Sequence, residues 1–102
     1  MSIAQQTVGT GATTIYTSTN SSAITAVYLM NDDSSSVTVQ VHVVLDSESA
    51  SASNKIIKDL SIAAGDTYIV DTERLILDNG DTIQASASTG SVLHATISYI
   101  GV

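Results

Sequence analysis

From Ile3 to Gly101, apolar and polar residues alternate again and again with a period of two. That is the spacing of a β-strand, whose successive side chains point to opposite faces. The cleanest run is 37–45, with Val37, Val39, Val41, Val43 and Leu45 on one face against Thr38, Gln40, His42 and Val44, which predicts a half-buried antiparallel strand. Over 23–31 both faces are mainly apolar: Ile24, Ala26, Tyr28 and Met30 stand opposite Thr25, Val27, Leu29 and Asn31. This predicts a central strand, covered on both sides or lying at a subunit contact. The linking sequence "NDDSSS", 31–36, is made of residues whose side chains bond back to nearby backbone, and the two strands are expected to form a hairpin.

Shorter strands are predicted at 3–8, 13–17, 55–62, 66–71, 74–77 and 81–87. A longer one spans 92–101, where Leu93, Ala95, Ile97 and Tyr99 form an apolar face and His94, Thr96 and Ser98 point the other way. "DSESASASN", 46–54, is too polar to bury and is expected to be a flexible loop tip. No segment shows the apolar repeat of an amphipathic helix, and β-branched residues are dense throughout. About eight short strands with turn signals every 8–12 residues predict an all-β fold. The expected form is a single antiparallel β-sandwich, jelly-roll or Greek-key-like. Residues 1–12 are expected to be an N-terminal arm or edge strand, and 13–102 the sandwich domain. With no proline in the chain, exposed edges must be guarded by Asp and Lys or covered by a neighbouring subunit.

Composition changes the picture in two ways. The apolar residues are almost all Ala, Val, Ile and Leu, with four Tyr, no Phe and no Trp. Such a core gains little per residue from burial, so stability as a free monomer is expected to be marginal, with oligomerisation or docking supplying the rest. Ten acids against three bases, Lys55, Lys58 and Arg74, give a net charge of −7. That excludes a clustered basic surface for nucleic acid and sets the chain against anionic membranes. No cysteine is present for disulfides or thiolate metal sites. Nothing reads as a signal peptide or membrane span, so a chain made in the cytoplasm is expected.

The chemical candidates are few. Gly-Asp-Thr occurs at 65–67 and again at 80–82. A phosphate cradle would need more glycines, a Lys and a following helix, whereas Gly and Asp are natural turn residues, so the two copies are read as hairpin corners with 71–74 as the turn between them. Asp71, Glu73, Asp78 and Asp81 lack the ligand spacing of a calcium loop. His42 and His94 would bind zinc only if their strands were neighbours and an acid joined them. Asp32–Asp33 and Asp46–Glu48 read as solvated loop charges rather than paired catalytic carboxylates. Tyr16, Tyr28, Tyr68 and Tyr99 fall inside predicted strands, which favours core or interface over a sugar platform. No nucleophile elbow occurs. The reading is therefore no enzyme, with no catalytic, cofactor-binding or metal residue assigned.

The order of features carries a resemblance. "TTIYT" precedes "AITAVYLMN" and a Val/Thr strand; "IAAGDTYIVD", "LILDNGDTI", "ASA" and "ISYIGV" then follow. With Ile15, Tyr16, Thr17, Asn31, Ile62, Ala64, Gly65, Thr67, Asp71, Leu75, Leu77, Gly80, Asp81, Ile83, Ala85, Ala87, Ser98 and Tyr99 as the matching positions, the chain from about Thr13 onward resembles small all-β virion proteins of tailed bacteriophages. It departs from them in the strand after "DSESASASN", which carries Lys55 and Lys58 and no aromatic where relatives often have one. The resemblance implies a virion structural protein, foremost a capsid decoration (cement) protein. Its implied partners are the major capsid protein or other virion proteins, and it would act as a homo-oligomer, expected to be a trimer. A tail, neck, baseplate or fibre-associated part is the alternative in the same class, and a carbohydrate- or calcium-binding attachment module the alternative in another.

Overall fold

The computed structural model describes residues 2–70 and 75–101. Among them nine strands form two antiparallel sheets: β1 (Ser2–Val8), β2 (Thr13–Thr17), β3 (Ser22–Asn31), β4 (Val37–Val44), β5 (Lys55–Ile62), β6 (Thr67–Val70), β7 (Leu75–Leu77), β8 (Thr82–Ala87) and β9 (Leu93–Gly101). The first sheet has the order β1-β9-β3-β6, with β7 also on β3; the second has the order β2-β8-β4-β5. β6 pairs with the second half of β3 and β7 with the first, both antiparallel. They therefore occupy one strand position, and eight positions result. Successive strands mostly alternate between the sheets, and the order is that of a jelly roll, two interleaved Greek keys.

One expectation is overturned. β3 and β4 do not form a hairpin: β3 lies between β9 and β6/β7, and β4 between β8 and β5, in the other sheet. The reason is burial. With β4 in the other sheet, Val37, Val39 and Val41 share one core with Val27 and Leu29 across the sandwich, while β5 and β8 pair with β4 on either side. The same correction applies to the two Gly-Asp-Thr corners. The first leads from β5 to β6 and the second from β7 to β8, each from one sheet to the other. The turn expected over 71–74 lies outside the described residues.

Leu29, Leu77, Ile83, Leu93 and Ile97 are the largest fully buried aliphatics of the core. Tyr16 packs against Tyr99 with the rings tilted at 40° and their centroids 4.5 Å apart, and its hydroxyl bonds Ser22 Oγ at 2.7 Å. Two strands break the simple alternation. In β3 the register against β9 shifts between Ile24 and Ala26, a bulge that returns Ile24 to the same core side as Val27, Leu29 and Asn31. In β4 the outward-facing His42 and Val44 are buried as well, at the end where the Ala52–Asn54 turn packs against the strand. Strand β4 ends at Val44, leaving Leu45 58% exposed. The polar stretch that follows is bonded to itself: Asn54 Oδ1 accepts from Ser51 N–H and its amide donates to Ser49 O, both at 2.9 Å.

The edges differ. β5 carries Lys55, Lys58 and Asp59 and has an irregular register, with Asp59 at φ 52°. β2 is short and bulged. β1 pairs with β9 in unbroken register and holds no charge.

Candidate functional surfaces

The Gly-Asp-Thr copies are two versions of one turn. Asp66 N–H donates to Ala63 O (3.0 Å), and Asp81 N–H to Asp78 O (3.1 Å), each closing a four-residue turn. Gly65 and Gly80 hold the third position at φ 74° and 90°, while Ala64 and Asn79 are not among the positive-φ residues. That combination is a type II turn, which requires glycine or a similar residue at this position. Around the turns the two copies part company.

The first corner is held by Asn31. Its backbone N–H donates to Asp66 O (2.9 Å) and its carbonyl accepts from Gly65 N–H (3.0 Å). Its side-chain amide donates to the carbonyls of Ser35 (2.9 Å), Ile62 (2.9 Å) and Ala63 (3.3 Å), and its Oδ1 accepts from Asp33 N–H (2.9 Å). Fully buried, this one residue ties both sheet crossings at its end of the sandwich. The second corner is held by Asp81, whose Oδ1 accepts from Asp46 N–H and Oδ2 from Asp78 N–H, both at 3.0 Å. Its backbone carbonyl accepts from Ser18 N–H (2.9 Å). Asp66 is exposed and Asp81 buried, so only the second copy uses its carboxylate structurally.

The remaining candidates stay apart. His42 is on β4 and His94 on β9, in different sheets. His94 Nδ1 bonds Thr7 Oγ1 at 3.1 Å, whereas the buried His42 Nδ1 has no partner. Burial, and then the charge of Lys55, lowers the His42 pKa. Asp71 and Glu73 lie outside the described residues. Among the described residues no group of three or more His, Asp or Glu is placed to hold a metal. Asp33 caps its own loop through Ser34 N–H (2.8 Å), and Glu48 stands exposed.

What the fold exposes is a face. No Asp, Glu, Lys or Arg stands on any described strand of the first sheet. On its outer side Ile76, Ala23 and Ile100 sit abreast on three strands, and Ile69 opposes Tyr28. Ile76 is 64% exposed, Ile69 48%, Tyr28 38% and Ile100 36%. The polar residues of this face bond to one another: Thr7 to His94, Gln5 Nε2 to Thr96 Oγ1 (3.4 Å), and Thr25 Oγ1 to Ser98 Oγ (2.8 Å). The outer side of the second sheet instead presents Thr38, Gln40, Thr82, Gln84 and Ser86. The alternation placed the faces of β4 and β9 as found, but it put Ile24 on the face of Tyr28, which the bulge between Ile24 and Ala26 reverses. Asn31 did carry a signal: an amide at the same parity as Val27 and Leu29 has to be buried with its bonds made. Comparison with protein-family models, with curated proteins and with solved structures returns no match for this chain.

Proposed function

We propose that this chain is a structural protein of a bacteriophage virion, acting as a capsid decoration protein. The observation that carries the reading is the first sheet, whose described strands hold no charged residue and whose outer side exposes Ile76, Ile69, Tyr28 and Ile100, in a chain whose net charge is −7. A surface of that kind serves assembly rather than catalysis or the binding of small ions. Further support comes from Asp81 and Asn31, whose polar groups are occupied in closing the jelly roll. The ordered resemblance to small all-β virion proteins supports the phage setting. The mechanism is mechanical: area buried between the decoration protein and neighbouring capsid subunits raises the free energy needed to separate them.

Quantitative mass spectrometry of virions purified from the phage or prophage that carries the gene tests this. A copy number close to that of the major capsid protein is expected. A copy number of a few to a few dozen would replace decoration by a tail, neck or baseplate role, and absence from purified particles would overturn the virion reading altogether.

A further inference from the structure

We infer that the outer face of the β1-β9-β3-β6/β7 sheet is a self-association surface, seated against the same face of a second copy of this chain across a two-fold axis. Three observations select that occupant. The first is charge. Like chains of net charge −7 repel, and close approach is least opposed where neither carries an ionised group. The described strands of this sheet are such a place, whereas the described acids stand in the loops and on β5. A basic partner would be drawn to those loops and would find no counter-charge on this face.

The second is chemistry. Ile76 and Ile100 flank the buried Ala23 across three strands, Ile3 on β1 is 65% exposed and diagonal to Ile100, and Tyr28 with Ile69 stands further along the sheet. The neighbouring polar side chains already bond one another in the plane, Thr7 with His94, Gln5 with Thr96 and Thr25 with Ser98. Covering the face therefore strands few polar groups, and an identical face offers matching apolar area.

The third is size. Strands ~4.8 Å apart rising ~3.3 Å per residue give four strand positions of about nine residues a face of roughly 600 Å². Two copies then bury about 1,200 Å², the lower end of what stable interfaces use. Packed sheets of this kind lie ~10 Å apart, close enough for Tyr28 and the isoleucines to interdigitate.

Self-association through this face draws on the same sheet as the decoration reading but requires nothing of the virion, so its test fails or succeeds independently of virion mass spectrometry. Sedimentation velocity of the purified full chain, from ~1 to ~100 μM, is expected to show a monomer–dimer equilibrium. Ile76→Glu and Tyr28→Lys, each placing a charge in the contact, are expected to weaken it at least ~10-fold. Gln84→Lys, on the outer side of the other sheet, is expected to leave it unchanged. Circular dichroism and melting confirm that each variant is folded; should Ile76→Glu fail to fold, Tyr28→Lys alone decides. A monomer throughout the range, a trimer, or a dimer indifferent to Ile76→Glu and Tyr28→Lys overturns the inference.

Discussion

The carboxylate of Asp46 occupies the space where a side chain at Gly80 would stand: a Cβ built on Gly80 lies 2.6 Å from Asp46 Cγ. At Gly65, the equivalent position of the other corner, nothing lies within 4 Å. Both glycines have positive φ, so alanine at either should cost about 1–2 kcal/mol of backbone strain. Only at Gly80 must a neighbour also move. Thermal unfolding is expected to show Gly65→Ala lowering Tm by several degrees, Gly80→Ala by more, and Gly80→Val by more again because a β-branched residue resists positive φ. In an Asp46→Ala background the gap between the two alanine variants should close. A gap that persists would assign the difference to backbone alone.

Asn31 should be the costliest polar residue to remove. Asn31→Ala removes the fully buried side chain that partners three carbonyls and the Asp33 amide, the bond to Ile62 O being buried and the others partly so. A loss of about 3 kcal/mol or more is expected from urea unfolding, a large share of the ~5–15 kcal/mol typical of a domain. Asn31→Asp sharpens the test. An ionised carboxylate would face carbonyl oxygens, so this variant should be less stable than Asn31→Ala near neutrality and recover as acid protonates it. Equal stability of the two across pH would mean that the amide's donors do not hold the corner.

Strand positions were largely legible because period-two alternation survives in a sequence rich in Val, Ile and Thr: 55–62 and 13–17 agree with β5 and β2 to the residue. Partnership was not legible. "NDDSSS" and the Gly-Asp-Thr copies announce a change of direction, yet the same turn residues serve a hairpin and a crossing between sheets. What separates them is the buried side chain of Asn31, bonded to Ile62 O some thirty residues further on, a contact invisible to local pattern. The outer face of the first sheet was hidden for a related reason. Tyr28 reads outward and Ile24 inward only once the bulge between Ile24 and Ala26 is known.

His42 gives the fold a pH dependence. Its ring is buried beside Lys55 with Nδ1 unpartnered, and its pKa is lowered from 6.5. The unfolded chain therefore takes up a proton near pH 6.5 that the folded chain resists. Stability from this residue is present above that pH and is lost as pH falls below it. Melting measured between pH 7.5 and about 5 is expected to show a falling Tm for the native sequence and a flatter profile for His42→Leu, which cannot protonate. Parallel profiles would show that other groups govern the slope.

Calcium separates the assembly reading from a calcium-dependent attachment module. Each oxygen of the buried Asp81 carboxylate already accepts a backbone N–H, from Asp46 and from Asp78. A cation approaching that carboxylate would compete with the bonds that close the second corner. Millimolar calcium is therefore expected to leave Tm unchanged. Asp81→Asn should lower stability by about 1–3 kcal/mol, and by the same amount with calcium or with chelator, because its amide nitrogen would face a backbone N–H that the carboxylate oxygen accepts. Asp78→Asn should have little effect, since Asp78 enters the corner through its backbone N–H and carbonyl. A rise in Tm with calcium that either Asn substitution abolishes would make the second Gly-Asp-Thr a cation site rather than a corner.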